Sequence, residues 1–147
     1  MWLFRHRLVV RFRDCDPLGH VNHAVYLTYF EQARFMLWRV QLDFVVRSDG
    51  GPLRDASTPG FILAHAEVDY RAQARYGDEL EVRLSLEGVG RTSFTYAYDL
   101  VDVATDRLVA TAKTILVLFD YGAQKPVPID AELRARLATV YTENHLT

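Results

Sequence analysis

Between Asp14 and Glu31 the chain carries Asp14, Cys15, Asp16, His20, His23 and Glu31. Carboxylates and imidazoles at this density suit general acid–base or nucleophilic attack on a polarised carbonyl. Asp16 precedes Pro17 and Gly19, which break regular structure and let the loop double back over whatever follows. Asn22 has the side chain of a helix N-cap, so a helix is expected from about His23. The first amides of such a helix point outward unpaired, at the positive end of its dipole. Asp16, seven residues before His23, then faces donors suited to a developing oxyanion. Donors of this kind contribute roughly 3 to 4 kcal/mol in acyl transfer. Asp16 is the candidate base or nucleophile.

The neighbouring groups have plainer uses. Asp16 itself has the residue type of a turn, bonding its own backbone, and Asp14 is read as a loop-fixing side chain. His20 and His23 form H-x-x-H, but no supporting ligand cluster lies elsewhere, so no metal is assigned. Glu31 is kept as a second carboxylate; its simpler role is a partner for Arg34 at i+3. Cys15 lies between two aspartates that disfavour its thiolate, which argues against a cysteine nucleophile. His65 reads as a satisfied core or interface residue.

The elements that position these groups follow from periodicity. Residues 7–13 alternate Arg7, Val9, Arg11 and Arg13 against Leu8, Val10 and Phe12, the period of a half-buried strand. Tyr26, Tyr29, Phe30, Ala33, Met36, Leu37 and Val40 form one helical stripe, and Leu27, Phe35 and Trp38 widen it, which predicts an enclosed helix. The Gly- and Pro-rich segment 47–60 reads as a loop. Four strand signals follow. One places Ile62, Ala64, Ala66, Val68 and Tyr70 on a common face; another alternates Leu80, Val82, Leu84 and Leu86 with charged residues. The last contains Ile115 to Phe119, apolar throughout, as where both sheet faces are covered. Asp130 then caps a short helix carrying Leu133, Leu137, Val140 and Tyr141. One strand, a long helix, four strands and a terminal helix give an α+β domain spanning 1–147, its sheet curved around the helix.

A chain of 147 residues, half of them apolar or aromatic, buries a core without staples. The net charge of −2 supplies no general attraction for nucleic acid. Arg71, Arg75 and Arg91, near predicted loops, are candidates for an anionic ligand. The lone Cys15 fits a reducing compartment, and arginines interrupt the apolar N-terminus, so a cytoplasmic protein with neither signal peptide nor membrane span is expected.

The pattern D-x-D-x-x-G-H-V-N-x-x-x-Y-x-x-Y-F-E-x-A-R, spelled by Asp14, Asp16, Gly19, His20, Val21, Asn22, Tyr26, Tyr29, Phe30, Glu31, Ala33 and Arg34, resembles the signature of hotdog-fold acyl-CoA thioesterases. The nearest group is the 4-hydroxybenzoyl-CoA thioesterase-like family, including the Tol-Pal-associated thioesterases. The resemblance runs from about residue 7 to about residue 120. It implies a hotdog fold, with a five-stranded antiparallel sheet around a central helix, and a homodimer or homotetramer with active sites at the dimer interface. It matches Asp16 to the family's catalytic aspartate and the His23 backbone to its oxyanion amide, with the His23 side chain assisting. His20-Val21-Asn22 departs from the Gly, Val and aromatic residue of the Tol-Pal type.

The resulting expectation is hydrolysis of an acyl-CoA thioester without a cofactor. Asp16, His23 and Glu31 are the catalytic candidates; Asn22, Tyr26, Tyr29, Arg71, Arg75 and Arg91 are the substrate-binding candidates. The alternatives are an acyl-carrier-protein thioesterase and a non-catalytic acyl-CoA-binding protein. The related hydratases pair D-x-x-x-x-H, and Asp16 to His20 is one residue short of that.

Overall fold

Arginines alternating with apolar side chains build the first strand, β1 (Phe4–Val9), with Phe4 and His6 turned inward and Arg5 and Arg7 outward. The computed structural model describes residues 1–42 and 60–141. The expected loop at 47–60 falls outside them except for Gly60. The period-two pattern continues in sequence to Arg13, yet the strand ends at Val9 and Phe12 stands 80 % exposed. Asp14 is the cause. Its carboxylate accepts the Arg11 amide, and the chain turns into a 3-10 turn, Phe12–Asp14, instead of extending the ladder.

The helix α1 (Val25–Gln41) follows, then the strands β2 (Gly60–Tyr70), β3 (Glu79–Val89), β4 (Ser93–Asp102) and β5 (Arg107–Asp120). They form one antiparallel sheet in the order β1-β3-β4-β5-β2. A two-residue strand, β6 (Lys125–Pro126), pairs with the end of β5 and makes a sixth beyond the five expected. The helix α2 (Ala131–Leu137) closes the chain, capped as expected by the Asp130 side chain on the Leu133 amide, 2.8 Å away. Val140 and Tyr141 lie beyond its end.

The long helix packs on the sheet's inner face. The Phe30 ring lies 4.9 Å from Tyr98, and Trp38 Nε1 donates to the Tyr96 hydroxyl at 2.9 Å. Tyr26, Tyr29, Phe30, Ala33, Leu37 and Trp38 are buried, each large apolar side chain contributing about 1.5–3 kcal/mol. The helix is not enclosed all round. Leu27 is 39 % exposed, and Thr28, Glu31, Gln32 and Arg39 share the open side, because a single sheet covers one side only.

Register shifts bend the sheet. In β2 a bulge between Leu63 and His65 reverses the parity of the strand. Phe61 and Leu63, rather than Ile62, therefore share the inner face with Ala66, Val68 and Tyr70, opposite Leu118, Leu116, Thr114, Ala112 and Ala110. His65 is thereby turned to the exposed outer face, beside Glu67, and is no core residue. Ile115 and Val117, on the outer face of β5, are half-buried, so that face is only partly covered. Among the described residues, no helix is long and apolar enough to cross a membrane.

Candidate active site

The loop between β1 and α1 is closed by its own backbone. Cys15 and Val21 form an antiparallel bridge, the Asp16 amide donates to the His20 carbonyl at 2.9 Å, and the Gly19 amide donates to the Asp16 carbonyl at 3.0 Å. Gly19 has φ +88°, a conformation that glycine alone adopts cheaply. Asp16 Oδ1 accepts the Leu18 amide at 2.9 Å, as the turn-residue reading expects. Its other oxygen stays available, 3.8 Å from His20 Nδ1. The Asp16 side chain is 19 % exposed, reachable yet shielded from bulk water.

The helix starts two residues later than the sequence suggests. Ala24 occupies the cap position and Val25 is the first helical residue. Asn22 is therefore not the helix cap but closes the turn just before it: its Oδ1 accepts the Ala24 amide at 3.0 Å, and its carbonyl accepts the Val25 amide at 3.0 Å. The Val21 amide donates to the Ala74 carbonyl and the Asn22 amide to the Asp14 carbonyl. Four of the five amides from Val21 to Val25 are thus taken. Among the described residues, the His23 amide donates to nothing. The His23 side chain is exposed, and its carbonyl accepts the Tyr70 hydroxyl at 2.8 Å.

Asp14 anchors this loop to the core. It is 2 % exposed; Oδ2 accepts the Arg11 amide at 2.9 Å and the Tyr29 hydroxyl at 2.7 Å, and Oδ1 accepts the Arg11 guanidinium at 2.9 Å. Burial by itself raises a carboxyl's pKa, but these donors prevail and hold Asp14 below the usual carboxylate range. Burial, then the bond to Asp14, pushes the Tyr29 phenol well up, so Tyr29 remains a proton donor. Its hydroxyl is committed to the loop.

Tyr26 faces the same region. Its ring lies edge-on to Tyr70 at 5.2 Å, and burial raises its phenol despite the Ala74 backbone and Arg107, with Asp16 also within electrostatic reach. Arg71 and Arg75 lie on the loop after β2, both exposed, and that loop is pinned to the β1–α1 loop through Ala74 and Val21 and through the Gly77 amide on the Val10 carbonyl. Arg91 is not brought there. It sits in the β3–β4 turn at the other end of the sheet, about 30 Å away along a ten-residue strand. Glu31 is on the open side of α1, its side chain 56 % exposed, with Arg34 3.6 Å away. That is the i+3 pairing foreseen as its simpler role.

The sequence matches the thioesterase-like superfamily over residues 10–137. The chain belongs to that superfamily. This thioesterase-like chain is 34 % identical to a putative esterase of Aquifex aeolicus over 85 % of its own length and 91 % of the relative's. It is 27 % identical to the long-chain acyl-CoA thioesterase FadM of Escherichia coli K12, covering 89 % of this chain and 94 % of that one. A Thermus thermophilus thioesterase, solved in complex with coenzyme A and zinc, superposes with a TM-score of 0.75 at 33 % identity, covering 92 % of each chain.

Two features of the thioesterase-like site escape sequence reading. Tyr70 appears in sequence only as one member of a strand face; that its hydroxyl reaches His23, 47 residues back, is a tertiary fact. The Arg11–Asp14 pair had a usable signal in its i,i+3 spacing, which the strand-like alternation masked. Among the described residues, no group of three or more His, Cys, Asp and Glu side chains is arranged to hold a metal ion.

Proposed function

We propose that Asp16 and the His23 amide form the hydrolytic centre of an acyl-CoA thioesterase. The protein cleaves CoA thioesters to a free acid and CoA. Asp16 activates water or attacks the thioester carbonyl, and the His23 N–H receives the oxyanion, with the exposed His23 ring beside the leaving group. The observation that supports this most is the His23 amide, unbonded among the described residues, in a turn whose other four amides are all bonded. The turn is open to solvent at His23 and Ala24, so an incoming carbonyl oxygen reaches this amide without displacing a protein acceptor. Tyr26 lines the acyl path, and Arg71 and Arg75 lie within the same end of the sheet for the CoA phosphates.

The test is release of free thiol from a panel of short, medium, long and aromatic acyl-CoAs. Wild type releases thiol from at least one, and Asp16→Asn lowers that rate by about 10²-fold or more. Equal rates overturn the assignment. Hydrolysis of carrier-bound but not CoA-bound substrate favours the carrier-protein alternative.

The assembly is proposed to be at least a homodimer. β2 ends the sheet order, and its inner-face residues Leu63, Ala66 and Tyr70 are exposed. A strand that is at the sheet edge among the described residues is a template for a second strand, and pairing copies there covers those side chains. Sedimentation of the wild type and of Leu63→Glu tests this: the wild type sediments as a dimer or larger and the variant shifts toward monomer. The lone Cys15 fits a cytoplasmic location.

A further inference from the structure

We infer that Tyr70 is a positioning residue for the oxyanion donor, acting through the peptide bond between His23 and Ala24; the inference rests on the reading of His23 given above. Each peptide unit is planar, so its carbonyl and its following amide move together. The His23–Ala24 unit is held at both ends: the Tyr70 hydroxyl donates to its carbonyl at 2.8 Å, and Asn22 Oδ1 accepts its amide at 3.0 Å. The preceding unit is held at its carbonyl by the Val25 amide at 3.0 Å, leaving the His23 N–H as its only unbonded group among the described residues. Both planes flanking the His23 α-carbon are therefore set from outside, one of them by a strand distant in sequence.

Two consequences follow for the chemistry. Fixing the second plane stops the paired rotation by which adjacent peptides exchange orientation, so the His23 N–H keeps one direction before substrate arrives. A donor already oriented loses nothing to reorganisation as charge develops. The Tyr70 hydroxyl also occupies the His23 carbonyl, whose negative end otherwise turns free beside the site of the oxyanion. Tyr70 is well placed to do this without being part of the core: it is 49 % exposed, its ring rests edge-on against Tyr26 at 5.2 Å, and its backbone pairs with Ala110 at the end of β2. Tyr70→Phe removes the hydroxyl and keeps the ring contact.

The experiment compares kcat, KM and Tm of Tyr70→Phe, Asn22→Ala and the double variant on an acyl-CoA that the wild type hydrolyses, with Asp16→Asn alongside. Tyr70→Phe is expected to lower kcat about tenfold with KM within twofold. Because both side chains hold one peptide, the double variant loses less than the product of the single losses. A kcat for Tyr70→Phe within twofold of wild type overturns the inference, as does a raised KM with kcat unchanged. If Tm falls together with kcat, the double variant decides: multiplicative losses overturn the inference and smaller ones support it. An active Asp16→Asn instead overturns the hydrolytic assignment, whatever Tyr70→Phe does.

Discussion

The Tyr29 hydroxyl, on the second turn of the central helix, donates to the buried carboxylate of Asp14 at 2.7 Å. That single bond joins the helix to the loop carrying Asp16, two residues further on. With the Asn22 amide on the Asp14 carbonyl, it makes Asp14 the fixed point about which the turn is built.

Tyr29→Phe removes one donor from a buried carboxylate and leaves the ring packed. The expected loss is about 1.5–3 kcal/mol, a fall in Tm of several degrees for a chain this size. Thermal melts measure it; an unchanged Tm refutes the anchoring role.

Acid stability depends on the same carboxylate. Asp14 sits below its unfolded value because its hydrogen bonds outweigh the cost of burial, and Glu81, nearly buried among Arg5, Arg7 and Arg83, does likewise. The unfolded carboxyls titrate near 4, so between that value and the lower folded ones the unfolded chain binds more protons. Their stabilisation is complete above about pH 4 and is lost as pH falls through the folded values. Denaturant melts between about pH 2 and 5 are expected to show a shallower acid limb for Asp14→Asn and Glu81→Gln than for wild type.

Gly19→Ala places a side chain at φ +88°, where no neighbouring atom obstructs it but the backbone itself is strained. The expected cost is about 1–2 kcal/mol, with a larger proportional loss of kcat because the turn presents Asp16. Retained kcat in this variant refutes the turn as the support of Asp16.

Glu31 and Asp16 are separated by paired variants. Glu31→Gln removes the negative charge 3.6 Å from the buried Arg34 guanidinium, a cost to stability rather than to chemistry, and is expected to keep kcat within a few-fold of wild type. Abolished turnover in Glu31→Gln, with activity kept in Asp16→Asn, transfers the acid role to the helix.

Arg71→Ala and Arg75→Ala are each expected to raise KM for an acyl-CoA severalfold at low salt, with the difference shrinking as salt screens the exposed guanidinium groups. KM values equal to wild type at low salt remove them as phosphate contacts.

The sequence by itself determined the buried stripe of the central helix, the five principal strands, the Asp130 cap and the neighbourhood of Asp16 and His23. These follow from signals confined to a few residues: apolar side chains recurring at period 3.6 or 2, a capping residue, a Pro and Gly that force a turn. The tertiary structure decided the rest. Strand β1 stops early because the Arg11 amide goes to Asp14, β2 reverses its faces at a bulge set by pairing with β5, and the helix begins at Val25 because Asn22 spends both its oxygens on the turn before it. Which amide is left over at the helix mouth is a result of that competition. Ala74, Asp14 and Asn22 each take a donor, and Tyr70, arriving from the far end of another strand, holds the peptide beside the one that remains. Hydrogen-bond partners brought together by the sheet have no local pattern in the chain, so the resemblance points to the His23 amide, but which of its neighbours are spent is visible only in the folded geometry.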